Sequence, residues 1–540
     1  MLCRALLLPL ATAAALATAL TSPTAAQLSA TASSYLGGEG DQDVWGAALL
    51  SDGRIVLAGS VNVRPGGEEV ALAGAAADAP GALLLLSADG RAVERVARLP
   101  GVPLDLAVDA DDRLYVAAGE AGLLAVDAEA GAVRWSATPG HVHRVDVGAD
   151  GTVAALVPSD VGGVGGANDT PGAGTIHLYD AAGGAGARFG GHRNTLDLAV
   201  HAPSETVVLV GWRQARADGN PVQIAYLRGV GFDGETRWTG YDWSTENGAD
   251  DFLNRPENNM ADTRGYRVSV GRDGRLLAAF ECAGGNHLFR YDPFDVSARV
   301  EIVGGDRYHE FFDTRSEHKT FFGVYDPASG AYRTGQQLTG RLSSGRGNTV
   351  RVREGAITTD ASGQVYLAGA AAAGLPLSWT PEGTGDYTGG AYLVVMSPDL
   401  RERRFVTRMD PSGHAHAVDA RSVDGELRVV LAGTTKRNGE GATQLWVDEA
   451  VQSESGGAED GFFTAFTGGD APPPAPGEDG GAPGGDDAGP TRDVDAGAPG
   501  AADGGGGCGC RAPGGGEDPD VGDMALVALL SLLLRRRRRA

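Results

Sequence analysis

Residues 43–60 read DVWGAALLSDGRIVLAGS: an apolar run, the turn-forming Asp52-Gly53, and a second apolar run closing on Ala58-Gly59. Asp-Gly between two apolar runs is hairpin chemistry, because glycine accepts the positive φ that tight hairpin turns require. The same shape returns six times: LDLAVDADDRLYVAAGE from Leu104, HRVDVGADGTVAALVPS from His143, LDLAVHAPSETVVLVGW from Leu196, YRVSVGRDGRLLAAFE from Tyr266, EGAITTDASGQVYLAGA from Glu354 and HAVDARSVDGELRVVLAGT from His416. Behind most copies comes another hairpin, as in GALLLLSADGRAVERVARL from Gly81 and GAYLVVMSPDLRERRFVTRM from Gly390, so each unit has four strands.

Second strands such as RIVLAGS and LRVVLAGT are almost continuously apolar, which implies burial on both faces. A one-sided sheet has no use for that pattern; a ring of small sheets packed face to face requires it, and self-similarity along the chain is the signature of such arrays. The expectation is an all-β chain with a single β-propeller over residues 27–469, seven blades favoured and six or eight left open. Copies stand roughly 40 to 90 residues apart against the ~40 to 50 of common blades. The excess is assigned to insertions at about 243–265 and 304–353, flanking the fifth copy. Within the second, KTFFGVYDPASGAYRTGQQL (319–338) reads as an extra hairpin, either a degenerate eighth blade or an elaborated loop. The seventh unit supplies only three strands before the chain changes character, and Ala30–Leu36 (ATASSYL) has no partner of its own. These two facts predict that Ala30–Leu36 pairs with the strand around Phe462–Phe466 and closes the ring.

The formal net charge is -25, and only two lysines, Lys319 and Lys436, stand among the 45 basic residues. So acidic a chain repels nucleic-acid phosphates, and nucleic-acid binding is set aside. Residues 1–26 have the form of a secretory signal peptide: Arg4, an apolar run from Ala5 to Leu20, and Thr24-Ala25-Ala26 as a small-residue cleavage site after Ala26. Cys282 is the single cysteine of the body and reads as a small buried hydrophobe, so the fold relies on burial rather than disulfides. Residues 470–507, rich in Pro, Gly, Ala and Asp, lack the apolar surface to offset their ordering entropy and are expected to be a disordered, low-complexity linker. Residues 508–540 follow with Cys508-Gly509-Cys510, an apolar segment at 524–534 expected to form a short C-terminal hydrophobic helix, and the arginines 535–539. As a helix that apolar segment is about 16 Å long, against a hydrocarbon core of ~30 Å.

Two resemblances follow from these residues. SYLGGEGDQDVWGAALLSDGRIVLAG (34–59) and TTDASGQVYLAGAAAAGLPL (358–377) resemble the bacterial seven-bladed β-propeller repeat known as the SBBP repeat, departing from it at Leu50-Ser51 and at Gln364, where the repeat usually has Asn. This repeat implies a fold and no activity. Residues 504–540 resemble the myxobacterial MYXO-CTERM sorting tail: a Gly-rich lead, a cysteine motif, an apolar stretch and a terminal arginine cluster. That resemblance implies a C-terminal sorting protease acting near the cysteine motif, lipid on Cys508 or Cys510, and an exported protein anchored at the cell surface or outer membrane through its tail. With signal peptidase at the other end, these are the processing partners expected.

Polar groups concentrate in the insertions. Asn258, Asn259, Asp262 and Arg264 lie in the first, His309, Asp313, Glu317 and His318 in the second, and together they form the candidate ligand-binding set. On a helix, His309, Asp313 and Glu317 would share a face and offer N and O ligands to a metal; a solvated loop with local ion pairs is the plainer reading. No cofactor is expected. Asp109, Asp111 and Glu120 mimic a calcium loop, but Arg113 and Leu114 occupy positions that a ligand and a glycine need. Trp238, Tyr241 and Trp243 suit either a sugar-stacking edge or core packing. The favoured function is non-catalytic recognition of a partner, matrix or envelope component by a displayed propeller. The alternatives are a hydrolase or lyase with its site among the insertions near the axis, and a purely structural surface protein.

Overall fold

In a computed structural model of the chain, the residues described are 28–469 apart from 62–65, 130, 165–168, 218–219, 244–261, 284–287, 304–317, 345–346, 382–388, 410–412, 436–444 and 458. Seven sheets of four or five strands follow one another along this span. Blade 1 is built from Val44–Leu49, Ile55–Ser60, Gly81–Leu86 and Val93–Leu99, with Glu68–Ala71 added in parallel at its outer edge. Blade 2 runs from Asp105–Val108 to Ala132–Ala137, blade 3 from Arg144–Val147 to Ala185–Gly190, and blade 4 from Asn194–His201 to Thr236–Tyr241. Blade 5 joins Thr263–Val270, Leu276–Ala283, His318–Tyr325 and Tyr332–Leu338; blade 6 joins Val350–Thr359, Val365–Ala372, Gly389–Met396 and Arg403–Arg408. Blade 7 takes His414–Val423, Glu426–Thr434 and Gly461–Gly469 from the end of the domain and Ser29–Leu36 from its beginning.

The closing pair is antiparallel, with Ala30 opposite Phe466 and Leu36 opposite Gly461. Backbone hydrogen bonds therefore tie the two ends of the domain together, as the unpartnered segment ATASSYL predicts. The eighth-blade option falls. Residues 319–338 are the outer hairpin of blade 5, with Phe280 opposite Phe321 across the sheet. The connection 284–317 thus separates the second and third strands of one blade, displacing that hairpin in sequence but not in space. The stretch expected as an insertion at 304–353 therefore takes in two strands of blade 5 and, from Val350, the start of blade 6.

Apolar continuity in the inner strands has a simple cause. Each blade sits between two neighbours, so alternate side chains of one strand enter two different cores. In Ile55–Ser60, Ile55 and Leu57 pack against Val430 and Phe463 of blade 7, whereas Val56 and Ala58 pack with Leu114 and Val116 of blade 2. Seven such clusters fill the seven blade interfaces. Outer strands lose this requirement: Ala132–Ala137 and Ala185–Gly190 alternate between exposed and half-buried. Trp238, Tyr241 and Trp243 are buried in the interface of blades 4 and 5, which places them in packing and not at a sugar-stacking edge. Cys282 joins the same core, and burial pushes its thiol up to about 12.

The recurring Ala-Gly at the end of the second strand also has a steric reason. A bulge in the inner strand brings a carbonyl over it, so a Cβ on Gly59 would stand 2.0 Å from the Asp43 oxygen, and one on Gly433 2.0 Å from the His414 oxygen.

Strand order divides the connections between two faces. On one face every connection is a tight turn, for example 50–54, 109–112, 148–152, 232–235 and 360–364. All the long ones, including 242–262, 284–317, 373–388 and 435–460, open on the other. Ser29 and Gly469 both lie at the turn face, where Ser29 stands opposite Thr467 and Gly469 opposite Glu426.

Candidate functional site

The innermost strand of a blade is a sheet edge, and alternate N–H groups along it point at the axis without a ladder partner. Aspartates in these strands satisfy several of them across the blade boundary. Asp105 accepts from Val145 N–H at 3.0 Å, Asp146 from Val200 at 2.7 Å, Asp197 from Val268 at 3.1 Å and Asp419 from Leu49 at 2.8 Å. Each carboxylate belongs to one blade and its donor to the next, the last bond joining blade 7 to blade 1. The inner strands of all seven blades line an axial cavity of about 250 Å³.

At the level of Asp105 the charges alternate over four successive blades: Asp105, Arg144, Asp197, Arg267. Arg144 Nε lies 3.9 Å from Asp197 Oδ1 and has no hydrogen-bond partner among the described residues, while its Nη1 donates to Leu104 O at 3.0 Å. Arg267 donates to the carbonyls of Gly355 and Tyr266. Burial dominates the electrostatics. It pushes Asp105 up to about 6 and Asp146 up to about 7, raises Asp197 and, aided by Arg144, draws Arg267 down to about 10. Toward the turn face, Arg272 crosses to blade 7 and reaches Asp419 at 2.7 Å. Near the opposite mouth Trp45 stacks on His416 at 4.1 Å; burial draws that imidazole down to about 4.

A second polar cluster occupies the loop-face ends of blades 4 to 6. Arg264 lies over the Trp212 ring at 5.5 Å, donates to Gln223 Oε1 and donates to the Tyr266 hydroxyl at 3.1 Å. Arg353 donates to the same hydroxyl at 3.2 Å and pairs with Asp169 at 2.6 Å. Glu281 Oε1 accepts the backbone N–H groups of Val352 at 3.0 Å and Arg353 at 2.9 Å, and its Oε2 stands 3.7 Å from His318 Nδ1. Burial first, then the fields of Arg351, Arg264 and Arg353, hold His318 down to about 4. A small cavity of about 180 Å³ opens beside Arg351, Arg353, Glu354 and His414.

Of the residues singled out from the sequence, Asp262, Arg264 and His318 are described and lie on one rim of blade 5. Ala283 stands opposite His318 and donates its N–H to Asp262 O at 2.8 Å. The Asp262 side chain itself fastens blade 4 by accepting Gln223 N–H at 2.8 Å. Asn258, Asn259, His309, Asp313 and Glu317 lie outside the described residues, as do Ala26, Cys508 and Cys510. Among the described residues no three His, Cys, Asp or Glu side chains converge as metal ligands, and no helix is long and apolar enough to cross a membrane. Sequence reading passed over Arg351, Arg353, Glu281 and the axial aspartates. The last carry a visible signal: an acid inside an otherwise apolar inner strand, in LDLAV twice, RVDV and AVDA.

No family model matches the chain, and no curated protein does. Among solved structures it is similar to the WD40 β-propeller domain of Doa1, at 12% identity over 82% of this chain and 97% of that one, with a TM-score of 0.38. It is also similar to a catalytically inactive virginiamycin B lyase from Staphylococcus aureus with quinupristin, at 10% identity over 81% and 99% of the two chains, with a TM-score of 0.40. Neither similarity bears on what this chain binds; the seven-bladed propeller rests on its own sheet topology.

Proposed function

We propose that this chain is a non-catalytic binding module, exported by its N-terminal segment and held at the cell surface by its C-terminal tail, which presents the loop face of the propeller to a partner, matrix or envelope component. The observation that carries this reading is the asymmetry of the ring: both ends of the domain leave from the turn face, while every long connection opens on the other. A tether fixed after Gly469 leaves the loops turned away from its point of attachment, and a flexible spacer of the length of 470–507 would average ~35 Å. Against the enzyme reading stands the use made of the axial carboxylates, which accept backbone N–H groups from neighbouring blades. A carboxylate committed to holding blades together is poorly placed to serve as a general base.

Export and tethering are tested together by intact-mass analysis of the surface-held protein and by the double variant Cys508→Ser/Cys510→Ser. Expected are a mature start at Gln27, loss of arginines 535–539, and release of the double variant into the medium with its propeller folded. Retention of the double variant at the surface, or mature protein still carrying the arginines, overturns the anchoring.

A further inference from the structure

The loop face of blades 5 and 6 holds three guanidinium groups within one small region of a strongly acidic chain, and one of them, Arg351, acts on Glu281 through its field without being held by a hydrogen bond or close ion pair among the described residues. Arg351, second residue of the strand Val350–Thr359, is half-buried and makes no hydrogen bond or ion pair with its side chain among the described residues. A guanidinium carries five N–H donors, and leaving them unsatisfied in a partly desolvated setting is unfavourable. Its neighbours are held in place. Arg353 is fixed by Asp169 and Tyr266, and Arg264 by Gln223, Tyr266 and the Trp212 ring. The carboxylate that could neutralise Arg351, Glu281, spends one oxygen on two backbone N–H groups and directs the other toward His318. Burial first, and then these three arginines, hold that imidazole neutral, while Glu281, Asp169 and Glu354 are the carboxylates set against the three guanidinium groups. The cavity beside Arg351 and Arg353 also meets Glu354, whose carboxylate lies 3.5 Å from His414 Nδ1.

Resting on the proposed binding role of this face, we infer that Arg351, with Arg264 and Arg353 beside it, forms an oxyanion site that takes a carboxylate, sulfate or phosphate group of an acidic ligand. Arg351 supplies the direct contact, since planar N–H pairs match two oxygens of such a group, and Arg353 stands fixed on the wall of the same cavity. The chemistry is shared by free inorganic ions and by the acidic groups of a surface polysaccharide, and the test separates them.

The full chain, kept in mild detergent because of its apolar tail, is titrated calorimetrically with sodium sulfate, with oligogalacturonate and with a neutral galactose oligomer. The variants are Arg351→Gln and, as a control on the turn face, Arg333→Gln, whose partner is Asp326. Saturable binding of at least one anion is expected, none of the neutral oligomer, and a tenfold or greater weakening in Arg351→Gln with its melting temperature unchanged. Preference for oligogalacturonate assigns the site to a polymer, and binding of sulfate alone assigns it to a small ion. Absence of any anion binding, or equal affinity in Arg351→Gln and Arg333→Gln, overturns the inference. Either negative result leaves the surface retention of the chain untouched, so it is distinguishable from failure of the display reading.

Discussion

The two faces of this ring are built by different rules. On the turn face one device recurs: an aspartate at the start of the turn accepts the N–H two residues on, as Asp52 does from Arg54, Asp150 from Thr152, Asp233 from Glu235, Asp273 from Arg275 and Asp360 from Ser362. Such Asx turns close a hairpin with local information only. The loop face repeats only the glycine beneath the inner-strand bulge and a few isolated Asx turns among the described residues. Its order comes from contacts far apart in sequence, such as Glu281 with Val352 and Arg353, or Arg353 with Asp169. The lesson is a division of labour in which the turns, the axis and the blade interfaces hold the ring by repeated contacts, and the loop face adds contacts found at one place only.

The largest test of that division is the closing strand. Deleting residues 28–36 removes the antiparallel partner of Gly461–Gly469 and exposes the apolar interface that Ala32 and Leu36 help to fill. Loss of cooperative folding, or a fall in melting temperature on the order of tens of degrees, is expected, whereas removing 470–540 shifts it little. Equal shifts from the two truncations would mean that the ring closes some other way.

Next comes the axis. Asp197→Ala leaves Arg144 and Arg267 buried as like charges and frees the Val268 amide, for an expected loss of about 3–5 kcal/mol in urea unfolding. A loss under about 1 kcal/mol would show that the axial charges are not mutually dependent. On the turn face, Asp360 accepts bonds from Ser362, Gln364 and Tyr366 together, so Asp360→Ala is expected to cost roughly 1–3 kcal/mol. Replacing the largely exposed loop-face residues 73–78 by a short Gly-Asn-Gly link should by contrast change stability by less than about 1 kcal/mol. If the loop replacement costs as much as Asp360→Ala, the contrast between the faces is broken.

Acidity sharpens the account of the axis. Asp105 and Asp146 have folded-state values raised to about 6 and about 7, above the ordinary carboxylate range. Protonation therefore favours the folded ring. That contribution is fully present below the unfolded value near 4 and is lost as pH rises through about 6 and 7. The share of stability that these two carboxylates carry should fall between about pH 4 and pH 7. His318 and His416, held down to about 4, contribute with the opposite sign over much of that range, so the readout is the difference between the wild type and Asp146→Asn, which cannot ionise and should lack part of the decline. A variant profile parallel to the wild type would place the titration elsewhere.

How much of this was legible in the sequence follows from how local each determinant is. Hairpin positions were readable because Asp-Gly and Ser-Gly encode their turns in a few residues, and burial on both faces was readable because Ile55 through Ala58 leave no polar side to a strand. Even the closing strand could be foreseen, since three strands at one end and an orphan at the other leave one economical pairing. Residues 319–338 misled because a long connection separated them from the strand they join, and strand pairing depends on space rather than sequence distance. The arginine cluster was invisible for the same reason. Arg264 stood out among polar neighbours in an insertion, but Arg351 and Arg353 sit in a blade 6 strand, and only the packing of blades 5 and 6 brings them to Glu281.

The claim that the loop face is the outward, ligand-facing side is tested most directly by the accessibility of an epitope tag on intact cells. The tag is placed either in the loop-face segment 73–78 or in the turn-face segment 232–235 of the full chain, and binding of a Fab fragment is measured before and after release of the protein by Cys508→Ser/Cys510→Ser. On tethered protein the loop-face tag should bind the fragment freely and the turn-face tag much more slowly, the two becoming equal once the chain is released. Equal accessibility while tethered, or a turn-face tag that is the more accessible of the two, would contradict the account.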